Sequence, residues 1–325
     1  SMEINDAGYT FSQGLEELRI EIAKKYANDY GVKILPEQVL VSNGSSLLLY
    51  LAIRILAPPG SQVILTDPCY ACYENVVRLA GAEPVMIKLR HEDGFQLNVD
   101  DLKKRVTPKT RAMLINSPMN PTGVVFSSEV MTALAELDIP IISDEIYADL
   151  SFEDPPCSFL SYSPQTVAIH GFSKSYAMTG WRLGYMITPL EWMSAADRLH
   201  QNLIISATEF VQEAGISVLR KSAAYCESMK TEFNRRRLFV LERMRELGMD
   251  LGYTPTGAFY VLYKYRDSGK SSLDLCHEVL EKTGVAIAPG RDFGLGAEGF
   301  VRISYAQSME NLDRALNLLA ESMLL

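Results

Sequence analysis

Residues 111–147 read RAMLINSPMNPTGVVFSSEVMTALAELDIPIISDEIY. An apolar run, RAMLINSP, gives way to a helical pattern, SSEVMTALAEL, and that to a second apolar run, PIIS, which ends on Asp144. Strand, helix and strand in this order build parallel neighbours joined by a crossover. The alternation extends to both sides. VLVS (39–42) precedes a helix from Ser45, QVILTD leads into YACYENVVRLAG, and TVAIHG and RLGYMIT follow. The expected fold class is α/β, with a mostly parallel, doubly wound sheet in a large domain over 1–225. A long helical stretch is expected from about Gly215 to Leu247, with Arg235, Arg236 and Arg237 on its solvated side. After it come FYVLYKY, a helix through LCHEVLEKTG, a strand at GVAIAP, FVRISYA and a last helix. These predict a smaller α+β domain over 226–325.

The 325 residues suffice for two such domains. A net charge of −9 is poor for holding phosphodiester backbones, so nucleic acid is not an expected partner. No apolar run reaches the length of a membrane span, and SMEINDAGYT has no charged-then-apolar signal pattern, so no membrane association is expected and a cytoplasmic location is. Ser1 and Met2 are given no structural role. Five cysteines are an odd number without regular spacing, which argues against a disulfide framework. Cys69 and Cys72 in DPCYACY supply only half of a zinc site, so neither a metal nor a redox role is expected. GLGAEG (294–299) is a literal GxGxxG, but it runs into a strand instead of opening a helix, so it reads as a loop.

In an open parallel sheet, ligands bind beyond the carboxyl ends of the strands. Asn120 follows RAMLINSP, Asp144 ends PIIS, Tyr147 lies just beyond it and Lys174 follows TVAIHG, so all four fall on one rim. In VSNGSSLLLY (41–50), Gly44 turns the chain out of a strand and Ser45 and Ser46 open a helix. Unpaired amides and the positive end of the helix then point at one spot suited to phosphate. Serine is also an ordinary helix cap. With Arg182 nearby the group becomes a monophosphate cup. HGFSKSYAMTGWRLGY (170–185) spaces Lys174 and Arg182 so that both face one small anion, although such side chains also snorkel to water. A desolvated lysine forms Schiff bases. A carboxylate ending a core strand needs a cation or donor. Lysine, aspartate, an aromatic ring and a phosphate cup describe the four sides of pyridoxal phosphate.

NSPMNPTG (116–123), SDEIYADL (143–150), GFSKSYAMTGWRLG (171–184) and FVRISYA (300–306) resemble, in order and across nearly the whole chain, the class I/II aminotransferases. These are pyridoxal phosphate enzymes of fold type I. The resemblance implies that Lys174 holds the cofactor as a Schiff base and later moves the substrate proton, while Asp144 keeps the ring nitrogen protonated. It implies that Asn120 and Tyr147 bond the ring oxygen and that Tyr70 stacks on the ring. Gly44, Ser45, Ser46, Ser173 and Arg182 would bind the phosphate side. Arg302 would grip the substrate carboxylate, with Asn120 beside it. Tyr9, in GYTFSQG, resembles the tyrosine that reaches a partner subunit's phosphate, which implies a homodimer.

Taken singly, Tyr70 and Tyr147 also read as core aromatics, Asn120 as a turn residue and Arg302 as a strand-edge charge. Two departures from the pattern stand out. Gly171 occupies a position commonly held by serine, which implies weaker phosphate binding. Only eight residues precede Tyr9, where the family has a longer arm covering the substrate side. A wider, more solvated mouth is therefore expected, with poor discrimination among small amino acids or a preference for bulky ones. The expected reaction passes an amino group from an α-amino acid to a 2-oxo acid. A β-eliminating lyase uses the same parts and stays open. A non-catalytic ligand-sensing domain is a third reading, against which stand Lys174, Arg302 and the lack of a basic helix-turn-helix before Tyr9.

Overall fold

The computed structural model describes residues 8–266 and 269–322; Ser1, Met2 and the rest of the stretch up to residue 7 lie outside them. In chain order the elements begin with α1 (Glu16–Asp29), β1 (Val39–Ser42), α2 (Ser45–Leu56), β2 (Gln62–Asp67), α3 (Tyr73–Leu79) and β3 (Glu83–Lys88). They continue through α4 (Val99–Lys103), β4 (Thr110–Asn116), α5 (Ser128–Ala135), β5 (Ile141–Asp144), β6 (Thr166–Gly171) and β7 (Gly184–Ile187). The helices α6 (Leu190–Ile204), α7 (Glu209–Lys221) and α8 (Ala223–Glu246) follow. The chain then runs through β8 (Tyr260–Lys264), α9 (Ser272–Thr283), β9 (Ala288–Pro289), β10 (Phe300–Ser304) and α10 (Met309–Glu321).

Seven strands form one sheet in the order β1-β7-β6-β5-β4-β2-β3. The strands from β3 to β6 pair in parallel. Alternate residues serve opposite faces. Leu40, Leu65, Leu114, Ile142, Ile169 and Met186 pack with the apolar side of α2, whereas Val41, Tyr185 and Ile187 pack with α1 and α7. Burial on both faces is why the central strands read as unbroken apolar runs. Each large buried side chain of α2, such as Leu48 or Ile53, contributes about 1.5–3 kcal/mol over exposure. Pro58 and Pro59 bar the helix from continuing.

β7 departs from the parallel pattern and lies antiparallel to both β6 and β1. The link from Phe172 to Leu183 holds no crossover helix, and a parallel return needs one. The second sheet, β8-β10-β9, is antiparallel. Val301 and Ile303 pack there with Val240, Met244, Leu275, Val279, Leu312 and Leu316 from the flanking helices.

The long helix expected from about Gly215 is two helices. The first starts at Glu209, and the break falls at Ser222, whose hydroxyl donates to the Val218 carbonyl at 2.6 Å. Arg237 is not solvated. It is buried, donating to Glu153 Oε1 at 2.8 Å and to the Pro255 carbonyl at 2.9 Å, with Phe152 beneath its guanidinium. Successive helical residues turn by about 100°, so three in a row do not share a face. Of GVAIAP only Ala288 and Pro289 pair, and GLGAEG is a loop with a short 3-10 turn at Leu295–Ala297.

Candidate active site

Register places the site. Asn116 pairs with Asp144 and Asp144 with Ile169, so β4 and β5 end level with one another and β6 runs two residues further, to Gly171. Beyond their ends lies a cavity of about 280 Å³ whose lining includes Ser45, Ser46, Tyr70, Asn120, Asp144, Tyr147, Lys174 and Arg302. Arg302 comes from β10 of the second sheet; the other seven belong to the first sheet and its connections.

Gly44 precedes α2 with φ +92°, a conformation that L side chains rarely adopt. A Cβ there would lie 2.7 Å from Nη2 of Arg182, and one at Gly184 would lie 2.8 Å from the Ser45 nitrogen. Bare backbone thus lets an exposed guanidinium and β7 press against the amino end of a helix, an arrangement that attracts anions. Ser173 is half-buried next to Lys174 and does not line the cavity. Tyr9 is 83% exposed and also lies off the cavity. A Cβ at Gly171 would crowd the Leu183 carbonyl at 3.1 Å and Ile146 at 3.2 Å, which favours the small residue found there.

Asp144 is buried, and burial pushes its carboxyl up to about 6 against the opposing pull of Tyr73, the Ile146 N–H and Lys174. Tyr73 donates its hydroxyl to Oδ2 at 2.6 Å and the Ile146 N–H reaches Oδ1 at 3.2 Å. Asn116 fixes the strand end, donating from Nδ2 to the Asp144 carbonyl and accepting the Asn120 N–H at Oδ1. Lys174 is driven the other way. Burial, then the Arg302 and Arg182 charges, hold its ammonium below the usual lysine range, partly offset by Asp144. Its Nζ sits 5.9 Å and 5.8 Å from the ring centres of Tyr147 and Phe259.

Arg302 is clamped between aromatic rings, Tyr260 at 4.4 Å and Phe293 at 4.7 Å from the guanidinium carbon. Its Nη1 donates to Asn120 Oδ1 at 2.8 Å, while its buried Nε has no hydrogen-bond partner among the described residues. A buried cationic donor left unpaired is costly and invites a carboxylate. The Tyr147 hydroxyl lies 3.1 Å from that of Tyr260. Asn116 and Tyr260 escaped sequence reasoning as site residues, while Tyr73, a candidate for the substrate pocket that the sequence leaves unassigned, is the hydrogen-bond partner of Asp144. Of the two that escaped, only Asn116 carried a signal, as the last strand residue of NSPMNPTG.

The family model for aminotransferase class I and II matches residues 3–319. The aspartate aminotransferase of Pyrococcus horikoshii is 37% identical over 317 residues, covering 95% of this chain and 81% of its own length. The (5-formylfuran-3-yl)methyl phosphate transaminase of Methanocaldococcus jannaschii is 37% identical, with 99% and 85% covered. The solved structure of an aromatic aminotransferase from Pyrococcus horikoshii OT3 superposes with a TM-score of 0.94 at 34% identity, covering 99% of this chain and 89% of its own. With a match this long in both sequence and fold, the chain belongs to the class I and II aminotransferases, the pyridoxal phosphate-dependent transaminases of fold type I.

Proposed function

We propose that this chain passes an amino group from an α-amino acid to a 2-oxo acid with Lys174 as its Schiff-base and proton-moving residue. The observation that carries this reading is a single cavity holding Lys174, the buried Asp144 and the unpaired Nε of Arg302. These donors and acceptors fit pyridoxal phosphate: an anion cup without a Cβ at Gly44, an aromatic ring at Tyr70 and a carboxylate able to meet a protonated nitrogen. When bound, that cofactor supplies a ring that accepts the electron pair left as a proton leaves the substrate α-carbon.

The protein's own groups divide the remaining work. Ser45 and Ser46 on the cavity wall, with Gly44 and Arg182 beside them, would hold phosphate with the α2 amides as donors, whereas Ser173, off the cavity, has less support for that role. Asp144 would hold the protonated ring nitrogen, and Tyr147 and Asn120 would bond the ring oxygen. Lys174, with its ammonium destabilised, offers a neutral Nζ that takes and returns a proton. Arg302 binds the substrate carboxylate through Nε and Nη2, and Asn120 orients that fork.

A homodimer is part of the proposal. Tyr9 and Phe11 are 83% and 80% exposed, and Trp181 adjoins Arg182 at 49%. Ile205 and Phe210 are also exposed, and between them the Thr208 N–H reaches Asn43 beside the cup. These exposed apolar side chains support a second copy that brings Tyr9 to the partner's phosphate site. The division into a cofactor-holding unit over 1–225 and a smaller unit over 226–325 draws support from α8, which starts at Ala223 and leads into the second sheet. No described helix is long and apolar enough to cross a membrane. Five free thiols suit a reducing compartment, which supports a cytoplasmic location.

The test supplies pyridoxal phosphate and a panel of amino acids without an acceptor. Stoichiometric 2-oxo acid with the nitrogen retained supports transamination. Catalytic release of ammonia and pyruvate would instead identify a β-lyase.

A further inference from the structure

Arg302 lies in β10 of the second sheet and Lys174 in the link between β6 and β7 of the first. Their separation is therefore set by how the second sheet docks on the rim of the first. One of the ties is the Arg302–Asn120 hydrogen bond, which shares its guanidinium with any incoming carboxylate. Two others lie outside the cavity. Asp67, the last residue of β2, accepts the Gly296 N–H with both carboxylate oxygens at 2.9 Å. Two residues on, the Cys69 N–H donates to the Phe293 carbonyl at 2.8 Å. Asp67 does not line the cavity, so substrate arrival does not displace this contact.

The loop from Gly290 to Ala297 is shaped around that carboxylate. Gly294 has φ +126°, and a Cβ on it would run into Asp67; one on Gly296 would lie 2.9 Å from the Asp67 Cγ. The glycines of GLGAEG thus answer a close approach between two parts of one chain and have no need of a nucleotide. The same loop carries Phe293, which is 4% exposed and forms one wall of the Arg302 clamp. A carboxylate taken largely out of water is costly without strong donors, and burial pushes Asp67 up while the Gly296 N–H opposes it.

We propose that Asp67 is a positioning residue for transamination: it latches the 290–297 loop to the end of β2, and through Phe293 it fixes Arg302 at the distance the reaction needs. This rests on Arg302 being the carboxylate grip. A misplacement of about 1 Å at a distance from the chemistry is enough to cost on the order of a hundred-fold in rate.

The test compares Asp67→Ala, Asp67→Asn, Gly296→Ala and Arg302→Ala as cofactor-loaded enzymes. Asp67→Ala should raise KM for both donor and acceptor about five-fold or more. The cofactor absorbance should not change, and the Gly296 amide should exchange its hydrogen faster. Asp67→Asn keeps one carbonyl acceptor and should fall between it and wild type. Gly296→Ala pushes the loop away from the other side and should reproduce the rise in KM if Asp67→Ala does not fold. Faster exchange at Gly296 with KM unchanged overturns the latch, as does unchanged exchange in Asp67→Ala. If Arg302→Ala itself leaves KM unchanged, the assignment of the carboxylate grip fails instead.

Discussion

The hydroxyl of Tyr73 donates a 2.6 Å hydrogen bond to Oδ2 of Asp144, joining the first residue of α3 to the last residue of β5. Both side chains are buried. In the proposed role Asp144 stays ionised to face a protonated nitrogen; its own burial opposes ionisation, and this donor partly offsets that opposition.

Tyr73→Phe removes the donor and keeps the ring. Ionised Asp144 loses support, so its carboxyl rises further and the acid limb of kcat/KM moves to higher pH. A hydrogen bond to a charged group is worth about 1.5–3 kcal/mol, and a pH unit is about 1.4 kcal/mol, so the shift is on the order of one unit. A pH–rate profile superposable on wild type would show that Tyr73 does not tune the carboxylate.

Lys174→Ala leaves the cup and Asp144 in place and removes the only amine lining the cavity among the described residues. Cofactor should still bind, with turnover reduced by several powers of ten, where each tenfold is about 1.4 kcal/mol of barrier. Borohydride treatment of the loaded wild-type enzyme followed by peptide mapping should find the label on Lys174. A label on another lysine would sink the assignment.

Much of this site was legible because parallel strands advertise themselves. The unbroken apolar runs of β4, β5 and β6 each close on polar residues, and Asn120, Asp144 and Lys174 lie on one rim for that reason. The reversal of β7 was not legible, since it depends on a short link and not on composition. Nor was the role of Tyr73. Its partner is 71 residues away, and the pairing needs α3 to lie under the end of β5. Tyr260 meets Tyr147 only once the second sheet has docked. Arg237 read as solvated because a charge triplet has no periodicity of its own, while the pocket formed by Glu153, Phe152 and Pro255 exists only in three dimensions.

Glu145, next to Asp144, gives a stability prediction away from the chemistry. It accepts from Ser158 Oγ, the Phe159 N–H and Tyr26, yet burial pushes its carboxyl from 4.5 up to about 7. With the folded value above the unfolded one, its contribution is fully present below the unfolded value and is lost as pH rises through the folded one. Glu145→Gln does not titrate. The stability of wild type relative to Glu145→Gln should therefore fall by on the order of 3 kcal/mol between about pH 4.5 and pH 7. Urea unfolding of both proteins across that window measures it. Parallel profiles would mean that the buried carboxyl titrates normally.

Gly44→Ala tests the anion cup. The backbone there has φ +92° and ψ 169°, a region that suits glycine alone, and straining a residue into it costs about 1–3 kcal/mol. The added Cβ would also sit 2.7 Å from Arg182 Nη2, so the guanidinium must move away from the amino end of α2. Both effects act at the amino end of α2; Asp144 is unaffected, and the Lys174 ammonium loses only the Arg182 push, with burial and Arg302, the larger causes, still in place. Affinity for pyridoxal phosphate should drop roughly tenfold or more, equivalent to about 1.4 kcal/mol, while kcat at saturating cofactor stays near wild type. Cofactor titration followed by absorbance reads the first quantity, and steady-state assays with excess cofactor read the second. Wild-type affinity in Gly44→Ala would move the phosphate site elsewhere. A collapse of kcat with affinity intact would mean that the strained turn positions the reacting groups and not the anion.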